Sequence, residues 1–91
     1  MQRRVERTFT IVNSLGLHAR PAALVVQTAN RFQSDIQIEK DGTQVNAKSI
    51  MGVLTLAASR GASVVLICEG DDAEKAMEAL AKVIESGFGE R

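Results

Sequence analysis

The chain has one histidine, His18, and it stands in the segment Gly16-Leu17-His18-Ala19-Arg20-Pro21. A neutral imidazole leaves one ring nitrogen free to attack phosphorus without an activating base. Arg20 adds a permanently charged, planar donor suited to phosphate oxygens. Pro21 presets the first turn of a helix and has no N–H to leave unpaired, and Gly16 has the backbone freedom to bring the loop close. If a helix starts here, its free backbone N–H groups and about half a positive charge favour an anion beside the ring. The chemistry these residue types can do is covalent phosphate acceptance on His18. The alternatives are a histidine that only caps the helix and a plain surface imidazole. A metal site is a poor fit, because no second histidine, thiolate cluster or carboxylate pair shares the loop. A hydrolase would need a partner base or nucleophile that the sequence does not offer.

A second candidate lies in Asn46-Ala47-Lys48-Ser49-Ile50-Met51-Gly52-Val53-Leu54. Ser49 there can simply cap a helix, a role worth about 1 kcal/mol. It can equally be a phosphorylation site, whose added charge would change what docks on the neighbouring surface. Cys68 follows the apolar run Val64-Val65-Leu66-Ile67 and is read as a buried strand residue with no chemistry.

The elements that must position these residues follow from periodicity. Thr8 to Val12 alternates as a strand, and Asn13-Ser14-Leu15-Gly16 supplies its turn. Apolar residues at Ala22, Val25, Val26, Ala29 and Phe32 predict a helix from Ala19 to Phe32. Asp35 to Lys40 and Thr43 to Ala47, joined by Asp41-Gly42, form a hairpin. A short helix after Ser49 puts Val53, Leu56 and Ala57 on its core side and stops near Arg60-Gly61. Ala62 to Glu69 is a fourth strand, and a third helix opens with Asp71 and Glu74 at capping-box spacing, carries Ala76, Leu80, Val83 and Ile84, and stops at Gly87. The order βαββαβα has too few helices to cover both faces of a sheet, which predicts an α+β sandwich with three helices on one face. Only the two ends are expected to be loose. The short helix leaves Ile50, Met51 and Leu54 as surplus apolar groups, and Ala19, Ala23 and Gln27 make a smooth ridge along the first helix. Both suit the approach of a partner protein to His18.

At 91 residues the chain is expected to be one domain, 1–91. Eleven basic and eleven acidic residues balance, so no basic footprint for nucleic acid is present. No apolar run approaches the roughly 20 residues of a membrane span, and no signal-peptide core is visible, so no membrane insertion is expected. A single cysteine in a small fold without staples fits a reducing compartment, here the cytoplasm.

These residues resemble the HPr family, histidine-containing phosphocarrier proteins of the phosphoenolpyruvate-dependent phosphotransferase system. The likeness runs from Thr8 to Glu85, with Gly16-Leu17-His18-Ala19-Arg20-Pro21-Ala22-Ala23 as its most specific motif and Lys48-Ser49-Ile50-Met51-Gly52-Val53 as the second. It implies an open-faced β-sandwich, a four-stranded antiparallel sheet ordered 1-4-2-3. It also implies that enzyme I phosphorylates Nδ1 of His18, giving a pros-phosphohistidine, that Arg20 assists, and that enzyme IIA proteins receive the group. A dedicated HPr kinase/phosphorylase would modify Ser49 and so impede transfer. Leu15 departs from the family, where many members have a short polar residue able to hydrogen-bond. The ending Glu85-Ser86-Gly87-Phe88-Gly89-Glu90-Arg91 is similar to the nitrogen-related paralogue NPr. That leaves both a sugar-transport and a nitrogen-related or purely regulatory pathway open.

The expectation is a monomeric carrier without cofactor or metal, not an independent catalyst. It would use His18 and Arg20 for transfer and Ala19, Ala23, Gln27, Ile50, Met51 and Leu54 for docking. The rival is a regulatory binding module that signals through phosphorylated Ser49, and a third reading is a small hydrolase.

Overall fold

The computed structural model describes residues 3–90. Its elements are β1 (Arg3–Thr10), α1 (Ala19–Ala29), β2 (Asp35–Lys40), β3 (Thr43–Asn46), α2 (Ile50–Thr55), β4 (Ser63–Gly70) and α3 (Ala73–Glu85), followed by a 3-10 turn over Gly87–Gly89. The strands form one antiparallel sheet in the order β1-β4-β2-β3. α1 packs on α2 and α3, and α3 lies over β1 and β4.

The apolar run of β4 makes it a central strand. Val64, Leu66 and Cys68 are fully buried beneath the helices. Ile67 points to the other face yet is only 6% exposed, covered between its register partners Glu6 and Gln37. α1 buries Ala22, Val25, Val26 and Ala29, and α3 buries Ala76, Met77, Leu80, Ala81 and Ile84. A fully buried Leu or Ile contributes about 1.5–3 kcal/mol, so the stripes and not helix propensity hold these elements on the sheet. The Asp41-Gly42 hairpin has both central residues at positive φ (52° and 85°), as a tight two-residue turn between twisted strands requires.

Several boundaries differ from the sequence reading. β1 starts at Arg3, not Thr8, and ends at Thr10, not Val12. Pairing along the whole of β4 extends it through a charged stretch whose alternation is hard to see, with the Arg7 guanidinium lying over the Phe9 ring. α1 stops at Ala29 rather than Phe32, because Asn30 caps it with its side-chain amide on the Val26 carbonyl (2.9 Å). α2 ends at Thr55. Ala57, expected on its core face, is instead exposed with φ of 48°, and Leu56 and Ala58 take the buried positions. The N-cap of α3 is Asp72, not Asp71, and its side chain makes no capping bond, so no capping box forms with Glu74. The carboxylate of Asp72 is taken up by Gln33 and Ser34 on the α1–β2 loop.

The C-terminal end, expected to be loose, is packed as far as Glu90. Gly87, Phe88 and Gly89 all have positive φ (68°, 58° and 73°), which folds the chain back on itself. Phe88 is strained there by about 1–2 kcal/mol. Its ring is only 7% exposed, and burial worth about 1.5–3 kcal/mol offsets the strain. No helix of the described residues is long and apolar enough to cross a membrane.

Candidate functional site

The loop from β1 to α1 is fixed by two contacts. Leu17 is buried, and its N–H donates to the Ala58 carbonyl at 2.8 Å. Gly16 sits at φ of 69° against the same carbonyl, so close that a Cβ would come within 2.4 Å of the Ala58 oxygen. With Leu17 turned inward, His18 faces outward, its side chain 35% exposed.

His18 is the N-cap of α1, as expected, with an extended backbone (φ −81°, ψ −171°) and its carbonyl accepting from the Ala22 N–H at 3.0 Å. Its ring makes no capping bond, which removes the reading of a histidine that merely caps the helix. Nε2 instead lies 2.8 Å from Oε1 of Glu90. Asn13, itself buried, donates from Nδ2 to the same Oε1 (2.9 Å) and to the Gly16 carbonyl (2.8 Å). The hydrogen bonds from His18 and then Asn13, with the charge of Arg20 nearby acting in the same direction, hold the Glu90 carboxyl below the usual carboxylate range. Arg20 is exposed and forms no ion pair among the described residues, so its donors face solvent.

Ser49 is the N-cap of α2, and its Oγ accepts from the Gly52 N–H at 3.1 Å. Of the docking candidates, Ala19, Gln27, Ile50 and Met51 are exposed, Met51 at 72%. Ala23 is half-buried. Leu54 is half-buried against the core and therefore less free than the surplus apolar group the sequence suggested.

Sequence reasoning missed Asn13 and Glu90. Asn13 was visible only as turn chemistry, and Glu90 only as part of a tail. Asn13 supplies a side-chain hydrogen bond within the loop, while Leu15 is 74% exposed. With Val12 at 50%, it adds exposed apolar surface to the loop. Cys68 is inert, since burial first and the Asp72 charge second push its thiol up to about 11. A groove between β1 and α3, lined by Arg4, Val5, Glu6, Arg7, Glu74, Met77 and Glu78, contains none of the candidate residues. The arrangement is thus a half-exposed imidazole on an open surface, with a cation and a helix N-terminus beside it.

A family profile described as the PTS HPr component phosphorylation site matches residues 5–86. The HPr-like protein Crh of Halalkalibacterium halodurans is 57% identical over 81 residues, 89% of this chain and 96% of that protein. The phosphocarrier protein HPr of Cupriavidus necator is 48% identical over 86 residues, covering 94% of this chain and 97% of its own length. Among solved structures, HPr from Thermoanaerobacter tengcongensis superposes with a TM-score of 0.92 at 57% identity, over 96% of this chain and 98% of that one. A dimer of HPr from the same organism superposes with a TM-score of 0.77 at 58% identity, over 90% and 94%. The match along the chain, the shared βαββαβα fold and the sheet order together give one conclusion: the protein belongs to the PTS HPr family of phosphocarrier proteins.

Proposed function

We propose that His18 accepts a phosphoryl group on Nδ1 from enzyme I and passes it to enzyme IIA proteins, in the cytoplasm and as a monomer. The observation that carries this reading is the half-exposed ring of His18 at the N-cap of α1, uninvolved in capping and followed by an exposed Arg20 that forms no ion pair among the described residues. On acceptance the Nδ1 lone pair bonds to phosphorus as the bond to the donor breaks with its electron pair leaving on the donor. On delivery a lone pair of the acceptor bonds to phosphorus as the N–P bond breaks and its pair returns to Nδ1. The free N–H groups of the first turn and the Arg20 guanidinium hold the phosphoryl oxygens. The exposed Ala19, Gln27, Ile50 and Met51, with the half-buried Ala23 and Leu54, suit brief docking of successive partners, and small interfaces of this kind exchange quickly. The chain is a carrier and not a catalyst of its own.

Regulation at Ser49 is the second part of the proposal. Phosphorylation by a kinase of the HPr kinase/phosphorylase class would replace the hydroxyl that caps α2 with a dianion beside exposed Ile50 and Met51, which disfavours docking on that face. The test for the first part is incubation of the protein and its His18→Ala variant with phosphoenolpyruvate and enzyme I, followed by intact mass. Acid-labile gain of one phosphoryl group on the wild type alone is expected. Labelling of His18→Ala, or none on the wild type with a competent enzyme I, would overturn the reading.

A further inference from the structure

Three features aim the Glu90 side chain at His18. The left-handed turn of Gly87–Gly89, closed by the Glu90 N–H on the Gly87 carbonyl at 3.0 Å, reverses the chain after α3. Phe88 anchors that turn in the core, and Gly87 lies against Val12 and Asn13. Asn13 then uses Nδ2 to tie Glu90 Oε1 to the same loop that carries His18. The carboxylate oxygen and the ring are 72 residues apart in sequence and 2.8 Å apart in space.

An ionised carboxylate only accepts hydrogen bonds, so the contact requires a hydrogen on Nε2. A neutral imidazole has one N–H, and Nδ1 is then left with its lone pair. We infer that Glu90 is a positioning residue for His18, fixing the Nε2–H form, presenting the Nδ1 lone pair to an incoming phosphoryl group, and offsetting the positive charge that the ring gains. This inference rests on the reading of His18 as the phosphoryl acceptor. As the N–P bond forms, the bond from phosphorus to the donor breaks and its electron pair leaves with the donor. The Nε2 proton stays in place, and the phosphorylated imidazolium faces the Glu90 carboxylate. When the group moves on, the electron pair returns to Nδ1 and no proton has been exchanged. The lowered proton affinity of Glu90 agrees with a carboxylate that remains ionised through the cycle. Without it the ring would divide between two tautomers, and the Nδ1–H fraction has no lone pair where it is needed.

The experiment uses the full chain labelled with 15N in the imidazole and compares wild type, Glu90→Gln and Glu90→Ala. Ring nitrogen shifts report the tautomer ratio, and rapid-quench labelling by phospho-enzyme I reports the transfer rate. In the wild type the Nε2–H form should dominate. Glu90→Ala should move the ratio toward Nδ1–H and slow transfer about 10- to 100-fold, by analogy with the loss when the carboxylate that orients a metal-bound histidine is removed. Glu90→Gln keeps a carbonyl oxygen able to accept from Nε2–H, so it should retain the tautomer and lose rate only through the missing charge. If the wild type labels and Glu90→Ala shows the same ratio and the same rate, the inference about Glu90 is overturned by itself. If the wild type fails to label while the ratio still shifts in Glu90→Ala, the acceptor reading falls, and the transfer role of Glu90 falls with it.

Discussion

At the scale of single residues, the carboxylate of Asp72 joins two distant parts of the chain. It accepts from the N–H groups of Gln33 (2.9 Å) and Ser34 (3.0 Å) and from the Ser34 hydroxyl, and so pins the α1–β2 loop to the head of α3. The Ser34 hydroxyl first, and then the Gln33 N–H, hold its carboxyl below the usual range. A carboxyl whose proton affinity is lower when folded stabilises the fold fully above its unfolded pKa, about 3.9. That contribution fades as pH falls through the lower, folded value. Asp72→Asn should therefore be less stable than wild type near neutrality and converge with it at strongly acid pH. Urea denaturation of both proteins across that range checks this, and a constant difference at every pH would contradict it.

Among the elements, α2 is the one that depends most on a single side chain. Six residues are too few for a helix to persist on propensity, and only Val53 within it is fully buried. The Ser49 hydroxyl on the Gly52 N–H is thus a large share of its local support. Ser49→Ala is expected to cost about 1 kcal/mol in thermal denaturation and to raise amide exchange in α2 before other helices. The same element shows where sequence reasoning stops. The cap and the helix were legible because Ser49 and the apolar spacing are local signals. Its end at Thr55 was not, because the departure of the chain serves Leu17, whose N–H needs the Ala58 carbonyl. His18 and Arg20 were legible for the same local reason, since Pro21 and the periodicity behind it mark a helix start. Asn13 and Glu90 were not, because their meeting depends on the path of α3 and on a turn with three successive positive φ values. The shift of the α3 cap from Asp71 to Asp72 likewise came from a tertiary demand, the α1–β2 loop, that no local pattern records.

For the molecule as a whole, stability comes from one core under the helices and little from its surface charges. Arg3 and Glu74 approach to 3.1 Å, but both side chains are 61% exposed, and such pairs contribute about 0–1 kcal/mol. Leu66 on β4 is fully buried in the core cluster. Leu66→Ala should cost about 2–5 kcal/mol, far more than any surface pair, with chemical denaturation as the measurement.

The strand order also sets a timetable. Arg3 pairs with Gly70 and Thr10 with Ser63, so a growing chain exposes β1 first and makes its partner strand late. α1 and the β2–β3 hairpin close over shorter sequence separations and can begin to form while β1 waits, but become stable only once the sheet beneath them is complete. An unpaired strand is a template for the wrong neighbour, including the same strand of another nascent chain. Arg3, Arg4 and Arg7, against the single Glu6, leave this stretch with a net positive charge, and like charge on two copies of a strand disfavours their pairing edge to edge.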